Sequence, residues 1–222
     1  MHTLLKTDPW FASLPEEFAH FLLSSGQCTT LGMNEYVFRN GEADNGLFVL
    51  LEGLICISNI NLEGEEAILA VLNKGIWFGE VSLIDGAPRT HDARCITECR
   101  LLHVPSLCLR QFLADNPVYW QHIAQLVSNK LRLIFSAYEV LQTLPAHERV
   151  IRQLLMLGRN YTEQTVSTTR LPINQLILSQ LAATSRQTCN QSLKKLAALH
   201  IIKLNYQHIE VLDWPALMRL ST

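Results

Sequence analysis

Between Ser24 and Pro105 the apolar residues come in short runs punctuated by glycine, and after Asn116 they recur at helical spacing for almost thirty residues. A chain that changes period in this way places its strands and its long helix in separate parts of the sequence. Arg39-Asn-Gly-Glu reads as a turn. Gly46-Leu-Phe-Val-Leu-Leu-Glu-Gly-Leu-Ile-Cys-Ile reads as two strands broken at Glu52-Gly53, and Asn61-Leu-Glu-Gly-Glu as a hairpin loop ahead of Ala67 to Leu72. Short strands at this spacing predict a β-sandwich or barrel-like roll. Ahead of them, Trp10, Phe11, Leu14, Phe18, Phe21 and Leu22 predict one amphipathic helix over 9–23.

From Asn116, read as a cap with Pro117 in the first turn, a helix is expected to run to Leu144, before Pro145. Trp120, Ala124, Val127, Leu131, Ile134, Tyr138 and Leu141 alternate spacings of four and three. This is a coiled-coil seam over three heptads, which predicts a parallel homodimer. Ile123, Leu126, Leu133 and Phe135 lie off the seam and are expected to cover the roll. A helix that packs only within its own chain is the alternative.

Beyond Pro145 the pattern is compact and polar-faced. A helix is expected over 147–157 and closed by Gly158-Arg-Asn, with Tyr161 to Thr169 a loop and Leu171-Pro-Ile extended. Asn174 caps a helix to about Leu181, Ala182-Ala-Thr turns, and Ser185 caps a helix from Arg186 to about Leu199. Two short helices joined by a tight turn make a helix-turn-helix. With Cys189, Leu193 and Leu196 inward, Arg186, Gln187, Asn190, Gln191 and Lys194 are left outward, all hydrogen-bonding types. Ile201–Asn205 and His208–Leu212 around Tyr206-Gln207 predict a hairpin wing, and 214–220 a last helical turn.

The formal net charge of −2 points to no nucleic-acid partner, but it averages two unlike halves. Residues 1–144 hold 9 Lys and Arg against 16 Asp and Glu, a balance of −7, and residues 145–222 hold 9 against 4, a balance of +5. An acidic half joined to a basic one is expected when one half alone meets DNA. The amino terminus does not read as a signal peptide and no run approaches a membrane span, so a cytoplasmic protein is expected. The six cysteines (28, 56, 95, 99, 108 and 189) form no C-x-x-C pair and are expected to be buried reduced thiols, with no metal or haem. No H-E-x-x-H pair and no G-x-S-x-G elbow occurs, so no enzyme is expected.

One stretch carries ligand chemistry. In Trp77-Phe-Gly-Glu-Val-Ser-Leu-Ile-Asp-Gly-Ala-Pro-Arg-Thr90, Gly79 permits a tight turn and a close approach, and Glu80 offers two acceptors to a vicinal hydroxyl pair. Val81 and Ser82 begin a short helical turn with N–H groups facing an anion, Arg89 offers a planar fork, and Thr90 a hydroxyl. The order F-G-E-x-x-L-I-x-G-x-P-R-[small] resembles the phosphate-binding cassette of cyclic-nucleotide-binding domains. The resemblance implies that Glu80 holds a ribose hydroxyl and Arg89 the cyclic phosphate of cAMP or cGMP. The bland alternative is a hairpin turn with a surface arginine.

With the long helix and the helix-turn-helix added, nearly the whole chain resembles the CRP/FNR superfamily of bacterial transcription regulators. The resemblance implies an α+β architecture: an effector domain over 1–115 that is a double-stranded β-roll of jelly-roll type, a dimerisation helix over 116–144, and a winged helix-turn-helix over 145–222. It implies double-stranded DNA, a second copy of the chain and RNA polymerase as partners. Ser185-Arg-Gln-Thr-Cys-Asn-Gln matches the family's recognition motif at Ser185, Arg186 and Thr188. Four departures stand out. Gln187 and Gln191 replace the motif's Glu and second Arg, and Ala183 occupies a turn position usually held by Gly. Ile134 and Phe135 stand where the cAMP receptor protein presents two hydroxyls to adenine, leaving Phe135 to stack on the base. His91 and Asp92 also replace small or apolar residues after Thr90, so an anionic Asp92 opposes a phosphate unless it points away. The alternatives are a regulator of the same fold with a degenerate pocket or another effector, and a cyclic-nucleotide-binding subunit whose tail binds protein.

Overall fold

A computed structural model describes residues 5, 6, 8–158, 170–205 and 208–221. The loop expected over 161–169 and the wing tip Tyr206-Gln207 lie outside the described residues. By contacts the chain divides into two compact units, Met1–Arg132 and Leu133–Thr222.

In the first unit, residues 9–24 form two helices rather than the single one expected. Helix α1 (Pro9–Ala12) is capped by Asp8, whose Oδ1 accepts from Phe11 N at 2.8 Å, and α2 spans Glu16–Ser24. Pro15 has no N–H to continue a helix and restricts the residue before it, so the periodic pattern is cut at Ser13-Leu14. Eight strands follow: β1 (Gln27–Leu31), β2 (Tyr36–Phe38), β3 (Gly46–Glu52), β4 (Ile55–Ile60), β5 (Glu66–Leu72), β6 (Trp77–Phe78), β7 (Asp92–Cys95) and β8 (Cys99–Pro105). They form two antiparallel four-stranded sheets, ordered β1-β8-β3-β6 and β2-β7-β4-β5. A short helix, α3 (Glu80–Asp85), sits between β6 and β7.

Strand β3 explains why this stretch is continuously apolar. Successive side chains of a strand point to opposite faces, and both faces here are covered. Phe48 and Leu50 join Phe38, Ile55, Phe78 and Leu101 in the core between the sheets. Leu47, Val49 and Leu51 join Trp10, Phe11, Phe18, Leu109, Leu113, Ile123 and Leu126 in a second core under the helices. That second core fixes α4 (Ser106–Asp115) and the first turns of α5 (Trp120–Thr143) against the roll.

Asn116 does not cap the long helix. It ends α4, its Nδ2 donating back to Phe112 O at 3.1 Å, and a 3₁₀ turn over Pro117–Tyr119 intervenes before α5. Not all the cysteines are buried, either: Cys28 and Cys108 are exposed. Cys28 lies on the edge strand β1, four of whose five residues are exposed, and Cys108 on the outer side of α4.

In the second unit, α6 (Ala146–Gly158) is the central helix, burying Val150, Ile151, Leu154, Leu155 and Leu157. Gly158 is required by close approach: a Cβ there would stand 2.1 Å from the ring of Trp214. Helices α7 (Gln175–Leu181) and α8 (Arg186–Ala198) make the helix-turn-helix. A three-stranded antiparallel sheet orders β10 (Ile202–Leu204), β11 (Ile209–Val211) and β9 (Arg170–Leu171), and α9 (Trp214–Arg219) follows.

Candidate effector site and nucleic-acid interface

The cassette folds as its glycines dictate. Gly79, at φ 99°, and Gly86, at φ 69°, bracket α3 in the left-handed region that side chains avoid. A Cβ on Gly79 would also stand 2.7 Å from Gly46 O, so the close approach of β3 to β6 excludes any other residue. The antiparallel register Phe48↔Phe78 brings the turn before β3 against this corner.

Arg89 and Glu80 are both buried, each 3% exposed. The Arg89 backbone is held at the 39–42 turn, its N–H donating to Glu42 O at 2.7 Å and its carbonyl accepting from Gly41 N at 2.8 Å. Its guanidinium donates from Nη1 to Gly79 O at 2.7 Å, and from Nη2 to Gly46 O at 2.7 Å and Asn45 Oδ1 at 2.5 Å. Asp44 lies 3.3 Å away as its counter-charge, and the guanidinium carbon stands 4.4 Å over the Phe38 ring. Arg89 Nε is buried with no hydrogen-bond partner. Burial lowers the Arg89 pKa against the opposing pull of Asp44, Glu80 and Glu42.

Asp44 binds more than Arg89. It accepts from Ser106 Oγ and from Arg110 Nη2 at 2.9 Å, and Arg110 also donates to Ser82 O at 3.0 Å. Burial alone would raise the Asp44 pKa, but these bonds, the Gly46 N–H and the Arg89 charge outweigh it and hold the carboxyl below its ordinary range. Glu80 takes Lys130 Nζ of α5 at 2.6 Å on its Oε2. Ser82 is buried and Val81 exposed, while the exposed Thr90 hydroxyl shares a hydrogen bond with His91 Nδ1 at 2.8 Å. Asp92 is turned to the 39–42 turn, where its Oδ1 accepts from Asn40 N at 2.8 Å.

The structure thus brings Gly79, Glu80, Ser82 and Arg89 to one corner and adds Asp44, Asn45, Arg110 and Lys130, which sequence reasoning did not single out. Asp44 and Asn45 enter through the β3–β6 register, and Lys130 through helix packing fifty residues from its partner. No local spacing signals either. The corner suits a phosphate ester: a buried guanidinium, an unpartnered N–H, a glycine corner with no room for a side chain, and a carboxylate beside it.

Along α5 the roll side is clear, with Ile123 and Leu126 buried. Of the expected seam, Trp120 is half-buried against the helix-side core, Ala124 is exposed and Val127 half-buried. Leu131, Ile134, Tyr138 and Leu141 are exposed on the single chain, and so is Phe135. Gln121, Ala124, Gln125, Ser128, Asn129 and Arg132 are exposed on the open side of the helix.

In the second unit Asn174 Oδ1 accepts from Ile177 N at 2.9 Å and Ser185 Oγ from Thr188 N at 3.1 Å, capping α7 and α8. Ala183 adopts φ 45°, a left-handed turn position that costs a Cβ-bearing residue about 1 kcal/mol. Cys189, Ser192, Leu193 and Leu196 are buried, and Arg186, Gln187, Gln191 and Lys194 are exposed together with Ser185. Asn190 departs from the expected outward face. It flanks the inward row, three residues before Leu193, and its Nδ2 donates to Gln175 Oε1 of α7 at 2.9 Å. Thr188 is half-buried in the cap, its hydroxyl 2.9 Å from Ser185 Oγ.

Among the described residues no His, Cys, Asp and Glu cluster suits a metal ion, and no helix is long and apolar enough to cross a membrane.

Comparison with known proteins agrees with both halves. The cyclic nucleotide-binding domain family matches residues 29–116, and the Crp-like helix-turn-helix domain family matches residues 148–220. The chain is 29% identical over 185 residues to a CRP-like cAMP-activated global transcriptional regulator of Mycobacterium tuberculosis, covering 82% of this chain and 83% of that protein. It is 27% identical to the cyclic AMP receptor protein of Thermus thermophilus, over 93% and 94% of the two chains. Its fold is similar to that of FixK2 from Bradyrhizobium japonicum, with a TM-score of 0.77 at 16% identity over 89% and 98% of the chains. With a cyclic nucleotide-binding roll, a long helix and a Crp-like DNA-binding domain, this chain belongs to the CRP/FNR family of transcription regulators, which are not enzymes.

Proposed function

We propose that the chain works as a homodimer whose DNA binding is modulated by a cyclic nucleotide, cAMP first, held at the Glu80–Arg89 corner, and that it acts through RNA polymerase. The observation that carries this reading is the buried Arg89 with an unpartnered Nε–H beside a buried carboxylate. A cyclic phosphate supplies the missing acceptor, and a ribose 2′-hydroxyl supplies a donor to Glu80. Thr90, Val81 and Ser82 complete the ligand set proposed at the corner. Two relatives bear cAMP in their names, which makes cAMP the first ligand to try.

For DNA, α8 enters the major groove with Arg186, Gln187 and Gln191 on base edges and Lys194 on phosphate. Ser185 and Thr188 hold its start, and Asn190 acts from the side through Gln175. For the dimer, Leu131, Ile134, Tyr138 and Leu141 meet their copies, with Trp120, Ala124 and Val127 extending the seam.

A degenerate pocket is favoured by one observation. Asp44 already neutralises Arg89, and Lys130 already fills an acceptor of Glu80, so a ligand must compete with both. Calorimetry with cAMP, cGMP and a cyclic dinucleotide separates the readings. Cyclic-nucleotide binding that Arg89→Ala weakens at least about tenfold supports the proposal, because a charge-assisted hydrogen bond contributes roughly 1.5–3 kcal/mol. No heat from any of the three at millimolar concentration establishes the degenerate pocket.

A further inference from the structure

Arg149 lies on the first turns of α6, in neither the effector corner nor the exposed face of α8, yet its guanidinium reaches two other elements of the second unit. Nη2 donates to Ala183 O at 2.9 Å and Nη1 to Leu141 O at 3.4 Å, while Nε is buried without a partner. Leu141 belongs to the last turn of α5, where helix carbonyls lack intrahelical partners. Ala183 is the left-handed corner between α7 and α8, two residues before the Ser185 cap. The link from α5 to α6 is only Leu144-Pro145, with Leu144 N bonded to Val140 O and Arg149 N to Pro145 O. The covalent connection is therefore short, and neither of these backbone bonds reaches α7 or α8.

We infer that Arg149 is a positioning residue that ties the end of the long helix to the corner of the helix-turn-helix, and so sets the spacing of the two half-sites that the dimer reads. Only a side chain with donors on two separate nitrogens spans both carbonyls at once. An ammonium in its place meets one of them, and a methionine keeps the apolar stem and meets neither. Each carbonyl bound stays where a rigid fork puts it, so Arg149 holds Leu141 of α5 at a fixed reach from the Ala183 corner. The fold of α8 itself does not depend on Arg149, because Ser185 caps it and Cys189, Leu193 and Leu196 bury its inner row.

This inference rests on the DNA-binding dimer proposed above, so its test has two arms. In the first, the full-length wild type, Arg149→Met and Arg149→Lys each select sites from a random pool of double-stranded DNA. The wild type is expected to return a palindrome with one half-site spacing. Arg149→Met should return the same half-site sequence spread over neighbouring spacings, and Arg149→Lys an intermediate spread. Identical single spacings for all three proteins, or a changed half-site sequence, overturn the positioning role. The second arm needs no DNA: amide exchange of the free proteins. In Arg149→Met the amides of Leu144, Arg149 and Thr184 should exchange severalfold faster while those of α8 from Cys189 to Leu196 keep their rates. Uniform acceleration through α8 means that Arg149 merely stabilises the fold, and unchanged rates mean that it holds nothing. Either overturns the proposal. A wild type that selects no palindrome, with the exchange pattern as expected, defeats the dimeric reading and leaves the strut without its role in spacing.

Discussion

Asp44 shows how much of this corner depends on one residue. Four groups hold its carboxylate ionised: the Ser106 hydroxyl, Arg110, the Gly46 N–H and the nearby Arg89 charge. Its folded pKa lies below the ordinary 3.8, so the unfolded chain binds its proton at a higher pH than the folded one. The stabilisation is then fully present above the ordinary value and is lost as pH falls through the depressed one. Acid unfolding followed by circular dichroism should show this, with Asp44→Asn flattening the loss of stability below about pH 4. An unchanged acid limb means that Asp44 contributes no net ionic stabilisation. Arg89 depends on the same network, because without its acceptors a buried guanidinium would be strongly disfavoured.

At the scale of single elements, α8 is where sequence and structure agree most closely. Its cap, its length to within a residue and its inward row of Cys189, Leu193 and Leu196 follow from local rules: a serine before the first turn and apolar residues at helical spacing. What the exposed face does is testable there. Arg186→Ala should cost about 1–3 kcal/mol on a selected site and flatten the preference at one base pair, with little change on random DNA. Lys194→Ala should weaken all sequences alike and reduce the salt slope by about one. Fluorescence anisotropy over a salt series distinguishes them, and equal losses on both kinds of DNA for Arg186→Ala would make it a phosphate contact. Where the reading of elements failed, the cause was tertiary or a local rule misapplied. Pro15 broke a pattern that periodicity alone reads as continuous. Asn116 ended one helix instead of starting the next, because a 3₁₀ turn consumed Pro117 to Tyr119. Asn190 was drawn to Gln175 across the turn, a contact that no pattern within α8 encodes.

Across the whole molecule, the two sheets, the long helix and the helix-turn-helix were legible because each has its own period and its own punctuation. The effector corner was legible only in part. Gly79, Glu80 and Arg89 are close in sequence and form a motif, whereas Asp44, Asn45 and Lys130 reach it through strand register and helix packing. The same scale governs assembly. Leu131, Ile134, Tyr138 and Leu141 leave an apolar stripe exposed on α5, and a second copy of that stripe is the complement the dimer proposal requires. Ile134→Asp puts unpaired charges into such a seam, so sedimentation at micromolar concentration should show a dimeric wild type and a monomeric or aggregated variant. A monomeric wild type contradicts the seam. The central claim joins both ends of the chain, since an effector in the roll must change how α8 meets DNA. Its most direct test is anisotropy of a selected fluorescent duplex titrated with wild type and Arg89→Ala, each with and without cAMP. The expected result is that cAMP tightens the wild type at least about tenfold, a coupling of roughly 1.4 kcal/mol or more, and leaves Arg89→Ala unmoved. Four superimposable titrations would contradict it.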